Sequence, residues 1–294
     1  MSALLIHRDG ATERWTLNEP ATRNALSDAM VLALFEACLR AKADASLHGV
    51  VLTGAGAAFC AGGSLGEFGS AIGQPLAPGE TDPLIALNRG FGDLLHALCG
   101  LPQWLLCAVD GPAMGGGFGL ACCADVVIAT ERAVFATPEV TLGIPPAQIA
   151  SFVWRRLGDA TARQCLLSGT RWTAREAQAV GLVNTVVADD ALESAVAYAS
   201  KALCRAAPGA VAATKQLLQR LQQPLPDLRD EAAIAFANAL RGPEAAAGLA
   251  AFASKQPAPW AQEPPRSAAS RVAAPQGGGS GLGRPGAGST KDTP

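Results

Sequence analysis

The chain of 294 residues is 49% hydrophobic, 16% charged and 5% aromatic, with a formal net charge of −2. That length holds one large domain or two small ones around a real core, and the near-neutral balance gives no support for nucleic-acid or anionic-membrane binding. Only three histidines occur (His7, His48, His96), none of them beyond residue 96, so a histidine-based metal site has almost no material.

Leu4 to Arg8 and Thr12 to Leu17 flank Asp9-Gly10, a two-residue turn signal that predicts an opening hairpin. Ser27 reads as the N-cap of a helix running to about Lys42, with Asp28 favouring its positive end. His48 to Thr53 is a β-branched run expected to form a buried strand, followed by the Gly-rich loop GAGAAFCAGGSLG over 54–66. Asp82-Pro83 opens a helix whose apolar face is Leu84, Leu87, Phe91, Leu94, Leu95 and Leu98. Trp104 to Val109 is a second apolar strand, and Asp110-Gly111-Pro112 turns the chain into GGGFGLACCA. Val126 to Ala129 and Ala133 to Ala136 read as two more short strands.

From about residue 147 the pattern is mostly helical. Thr173-Ala-Arg-Glu176 is a capping box and Gly181 a stop for that helix. One strand is expected over Leu182 to Val187, a helix opens at Asp190, and further helices carry the chain to about 253. Beyond Glu263 large aliphatics nearly vanish among Gly, Pro and Ser. Such a segment cannot bury enough surface to offset chain entropy, so 263–294 is expected to be a disordered tail.

The eight cysteines form no C-x-x-C pair, and reduced buried thiols are the expectation. The opening MSALLIHRDG meets a charge by Arg8 and lacks a signal-peptide core. The longest uncharged run, 45–66, contains six glycines, and the more apolar run 94–109 is too short to span a bilayer. A cytoplasmic protein without membrane or nucleic-acid partners is expected.

Three familiar motifs fail. Gly54-Ala-Gly56-Ala-Ala-Phe59 nearly fits a dinucleotide fingerprint, but Phe stands where close helix packing wants Gly or Ala. Gly62-Gly-Ser64-Leu-Gly66 fits a nucleophile elbow, yet His96 is the only later histidine available to complete its triad. No G-x-x-x-x-G-K-[ST] phosphate loop exists among the five lysines.

What remains is a pair of glycine segments, each after an apolar strand: Ala61-Gly62-Gly63 and Gly115-Gly116-Gly117. If Gly116 begins a helix, its N–H points outward at the positive end of the dipole. Two such donors converging on one carbonyl oxygen make an oxyanion hole, in which each donor is worth about 3 kcal/mol of transition-state stabilisation. On spacing alone two tight packing turns are the better reading.

The ordered stretches Arg23-Asn-Ala-Leu26, HGVVLTGAGAAFCAGGSL, AVDGPAMGGGFGLACCADVVIA and FATPEVTLGIPP decide between them. Over residues 3 to about 260 the chain resembles the crotonase (enoyl-CoA hydratase/isomerase) superfamily. The resemblance implies an α/β fold, a crotonase-like spiral of ββα units with a helical C-terminal region. On that basis residues 1–200 form the core and 201–262 a helical trimerisation region, in a homotrimer or dimer of trimers. It implies an acyl-CoA substrate, no separate cofactor and no metal.

By position, the thioester carbonyl falls to the N–H groups of Gly63 and Gly116, with Glu139 of the Pro-Glu pair as the catalytic carboxylate. Arg23, Ala25, Ala61, Gly63, Ser64, Leu65 and Gly66 are expected to line the coenzyme A site with Gly116. The chain departs from two-carboxylate hydratases at Gly119, where they carry Glu. Ser64 also stands where Asp is usual, and Lys255-Gln256 where a Lys-Arg pair is. A single glutamate serves three readings: hydration, C2–C4 proton transfer in isomerisation, or CoA-ester binding without turnover. Val140 and Phe135 are expected to raise the Glu139 pKa. The stretches over 82–88, 117–126, 146–149 and 241–244 resemble the glutaconyl-CoA hydratase branch, particularly isohexenylglutaconyl-CoA hydratases, which favours hydration.

Overall fold

The two strands of the opening hairpin, β1 (Leu4–Asp9) and β2 (Thr12–Leu17), pair antiparallel from Leu4↔Leu17 to Asp9↔Thr12, as the Asp9-Gly10 turn predicts. The structure is a computed structural model that describes residues 2–64, 83–142 and 144–221, with positions 247, 251, 254–256 and 259. The chain divides into two units, 1–262 and 263–294, and every described residue belongs to the first. The expectations for Leu65, Gly66, the tail and most of 222–262 lie outside the described residues.

Ser27 caps α1 (Asp28–Ala43), its side chain accepting the Met30 N–H at 3.2 Å. The chain then forms β3 (Gly49–Gly54), α2 (Pro83–Cys99), β4 (Trp104–Val109), β5 (Pro112–Met114) and α3 (Gly116–Cys123). It continues through β6 (Val126–Thr130), β7 (Val134–Ala136), α4 (Ile149–Ser168), β8 (Arg171–Thr173) and α5 (Ala174–Ala179). The last described elements are β9 (Thr185–Val187), α6 (Leu192–Leu203) and α7 (Pro208–Arg220). Six strands form one sheet in the order β1-β2-β3-β4-β6-β9, parallel from β2 onward, and β5-β7-β8 form a second.

The central strands are buried on both faces, as a covered parallel sheet requires. The period of two divides β4 cleanly. Leu105, Cys107 and Val109 face the main core with Leu34, Phe59 and Leu95, whereas Trp104, Leu106 and Ala108 face a smaller cluster closed by Leu192 and Val196 of α6. Each fully buried Leu or Val contributes about 1.5–3 kcal/mol, which anchors the strand ends where the loops emerge. Glu13 is buried beneath α1 but accepts two hydrogen bonds from Arg40 (2.8 and 2.7 Å) and one from Trp15 Nε1 (2.8 Å). The Arg40 guanidinium holds its carboxyl below the usual range.

The capping box at the start of α5 is present, with Thr173 Oγ1 accepting from Glu176 N–H at 3.3 Å and Glu176 Oε2 accepting from Thr173 N–H at 2.8 Å. The strand expected over 182–187 is shorter. Leu182 and Val183 both donate their N–H to Ala177 O (2.9 and 3.2 Å), so they close α5 and leave only Thr185–Val187 for the sheet. A 3-10 turn over Asp189–Ala191 precedes α6, where the sequence predicts its helix from Asp190. Pro112–Met114, which begins at the predicted turn, and Arg171–Thr173, which ends at the predicted cap, are strands of the second sheet that the sequence does not announce. Among the described residues no helix is long and apolar enough to cross a membrane.

Candidate active site

The loop after β3 and the segment after β4 are joined backbone to backbone. Cys60 N–H donates to Pro112 O (3.0 Å) and Met114 N–H donates to Cys60 O (2.9 Å). On its other side the same loop is held by residues 23–26: Ala61 N–H donates to Arg23 O (3.0 Å) and Leu26 N–H to Gly62 O (2.8 Å). In a trans peptide the C=O of one residue and the N–H of the next point in opposite directions. The bond from Leu26 to Gly62 O therefore turns the Gly63 N–H away from Leu26.

Gly116 opens α3, so its N–H lies in the first turn, where no intrahelical acceptor exists. Neither it nor the Gly63 N–H has a backbone or side-chain acceptor among the described residues. The two segments come close because Gly62 carries no side chain. At its φ of +91° a Cβ would stand 2.8 Å from Met114 O and 3.5 Å from Gly116 N. Gly63 and Gly116 thus place two free donors on the wall of one cavity, together with Ala61, Gly62, Gly115 and Glu139. Its volume is about 900 Å³ and most of its remaining wall is apolar, supplied by α1, α2 and residues 144–149.

Glu139 lies in a 3-10 turn (Pro138–Leu142) after β7. Its carboxylate lies over Gly115, where a Cβ would stand 2.7 Å from Oε1. Oε2 is buried without a hydrogen-bond partner among the described residues. Burial pushes the Glu139 carboxyl above the ordinary carboxylate range, against a smaller opposing effect of its own backbone N–H. Phe135 is fully buried and packs edge-on against Phe118. A half-buried glutamate whose Oε2 is buried and unpaired, on the same cavity wall as two backbone donors, suits proton transfer next to a polarised carbonyl.

A side chain at Gly119 would place its Cβ 2.5 Å from Ile149 Cγ2, so Ile149 occupies the ground a second carboxylate would need. Asp28 and Asp93 also border the cavity, both exposed on the helices α1 and α2.

Of the residues expected in the site, Gly63, Gly116, Glu139 and Ala61 line this cavity. Arg23 and Ala25 support it: the Arg23 carbonyl holds Ala61, and Ala25 is buried next to the wall residue Leu26. Ser64 is half-buried directly after Gly63. Gly62, Gly115 and Ile149 were not singled out for the roles they hold; both glycines have positive φ, and a Cβ would meet Met114 at Gly62 and Glu139 at Gly115. His96 is exposed on α2 with its ring edge-on to Phe152 (5.1 Å).

Two backbone N–H donors and a glutamate with a buried, unpaired oxygen on the wall of one cavity make an arrangement suited to polarising a carbonyl and moving a proton near it. The sequence profile of the enoyl-CoA hydratase/isomerase family matches residues 10–263, and the chain belongs to that family. It is 38% identical over 225 residues to the 2,3-dehydroadipyl-CoA hydratase of Escherichia coli, covering 76% of this chain and 84% of that one. Among solved structures it superposes on Pseudomonas aeruginosa AtuE with a TM-score of 0.83 at 43% identity, covering 88% of this chain and all of the other. An enoyl-CoA hydratase/isomerase from Marinobacter aquaeolei gives the same TM-score at 39% identity, covering 89% of this chain and 100% of that one. The protein is an enzyme acting on CoA thioesters within a crotonase fold.

Proposed function

We propose that the enzyme adds water across the C2=C3 bond of a branched, glutaconyl-type 2-enoyl-CoA, with Glu139 as its one acid–base group. The observation that carries this reading is the Glu139 carboxylate itself, buried, unpaired at Oε2 and set over Gly115 beside the Gly116 donor. The Gly63 and Gly116 N–H groups bind the thioester oxygen as negative charge collects there, which makes C3 electrophilic and C2 basic. Glu139 takes a proton from water as the hydroxyl bonds to C3, then returns a proton to C2. A carboxyl raised by burial is matched to both halves of that exchange. The branch-like stretches 82–88 and 146–149 support the glutaconyl assignment, and so does the relative whose name specifies a 2,3-dehydroadipyl ester.

The test is a panel of 2-enoyl-, 3-enoyl- and glutaconyl-type CoA esters followed by absorbance of the conjugated thioester. Loss of conjugation on the glutaconyl-type 2-enoyl ester is expected. Gain of conjugation from the 3-enoyl ester without any hydration makes the enzyme an isomerase, and no change on any ester makes it a binding protein.

A further inference from the structure

The cavity has one built polar corner in a largely apolar wall. Gly92 on α2 leaves room for the Gln148 carboxamide, since a Cβ there would stand 2.2 Å from Gln148 Oε1. With its oxygen lodged against Gly92, Gln148 donates from Nε2 to Asn88 Oδ1 at 2.9 Å. That bond takes one lone pair of Asn88 Oδ1 and leaves three carboxamide N–H groups of the pair for a ligand: both on Asn88 Nδ2 and the second on Gln148 Nε2. A corner that offers three such donors suits an anion.

A second hollow of about 540 Å³ shares Leu84, Asn88 and Gln148 with the main cavity and adds Ile85 and Arg89. Its described wall holds one cation and no acid. Arg89 has no carboxylate partner among the described residues. The main cavity, by contrast, is bordered by Asp28 and Asp93, which repel an anion. An anionic substituent in this site is therefore directed to the junction of the two hollows. Asn88 and Gln148 line both hollows and Arg89 lines the second, so two carboxamides and a guanidinium are the groups available there for hydrogen bonds to an anion. The two sequence stretches that meet at this junction, 82–88 and 146–149, lie sixty residues apart and touch through Asn88 and Gln148.

We propose that Asn88, Arg89 and Gln148, with Gly92 making room for Gln148, select acyl-CoA esters that carry a second carboxylate at the distal end of the acyl chain. This rests on the glutaconyl-type reading above and assigns the residues that enforce it. The thioester end is held by Gly63 and Gly116, and the distal carboxylate by the corner on α2.

Calorimetric binding of glutaryl-CoA against pentanoyl-CoA tests the selection without any turnover. The wild-type enzyme is expected to bind glutaryl-CoA at least tenfold more tightly, and Arg89→Leu to bring that ratio close to one. Gly92→Ala, which displaces Gln148, reduces the ratio in the same direction. Equal affinity for the two esters in the wild type, or a ratio unmoved by Arg89→Leu, overturns the proposal. Failure of hydration in the enoyl panel, with the binding preference intact, instead overturns the hydratase reading and leaves the carboxylate corner standing.

Discussion

Replacing Gly115 by Ala perturbs the site at the atom where backbone and acid meet. Gly115 has φ +51° and ψ −114°, a conformation that an L side chain adopts only with strain of about 1–3 kcal/mol. The new Cβ would also stand 2.7 Å from Glu139 Oε1, so the carboxylate must retreat by about 0.7 Å to reach ordinary contact. A displacement approaching 1 Å in a reacting group costs about 10²-fold in rate. Gly115→Ala is therefore expected to lower kcat/KM for the enoyl-CoA substrate by about 10²-fold, with a melting temperature reduced by several degrees. Gly158→Ala is the matched control. Gly158 also has a positive φ (+74°), but nothing lies within 4 Å of a Cβ there, so only the strain is present. That variant is expected to lose stability and keep its activity. Steady-state hydration assays and thermal unfolding of both variants decide the matter. Wild-type kcat/KM in Gly115→Ala would refute the placement of the Glu139 carboxylate over Gly115.

The remaining predictions concern the same acid and its surroundings. Because burial raises the Glu139 carboxyl above its unfolded value of 4.5, its contribution to stability is fully present below that pH and is lost as pH rises through the folded value. Glu139→Gln is therefore expected to be more stable than wild type at pH 8 and equal to it near pH 4, as read by chemical denaturation at the two pH values. Gly119→Ala forces a Cβ to 2.5 Å from Ile149 Cγ2 and is expected to cost about 1–3 kcal/mol by overpacking. In a double-mutant cycle Ile149→Ala should recover at least about 1 kcal/mol of that cost; strict additivity would separate the two residues.

Elements with a strong periodic signal were legible in the sequence: the hairpin around Asp9-Gly10, the α1 N-cap at Ser27, the apolar face of α2 and the capping box of α5. The three-residue strands β5 and β8 were not, because their pairing is set by β7 between them rather than by any local pattern. Leu182 and Val183 read as strand from their side chains, while their N–H groups belong to the end of α5. In the site, Gly63, Gly116 and Glu139 were found through the resemblance of their motifs. The contacts that shape their surroundings were hidden. Gly62 and Gly115 matter for what stands opposite them, and Ile149 for the space at Gly119, and neither relation has a sequence spacing that announces it.

The central claim is that a single glutamate moves the proton while two backbone donors hold the thioester. It is tested most directly by Glu139→Gln, with hydration of a glutaconyl-type 2-enoyl-CoA followed by loss of thioester conjugation and ester affinity followed by calorimetry. The account predicts that turnover falls by about 10²–10⁴-fold while affinity is retained, since the donors on Gly63 and Gly116 are untouched. Near-wild-type turnover in that variant would contradict it.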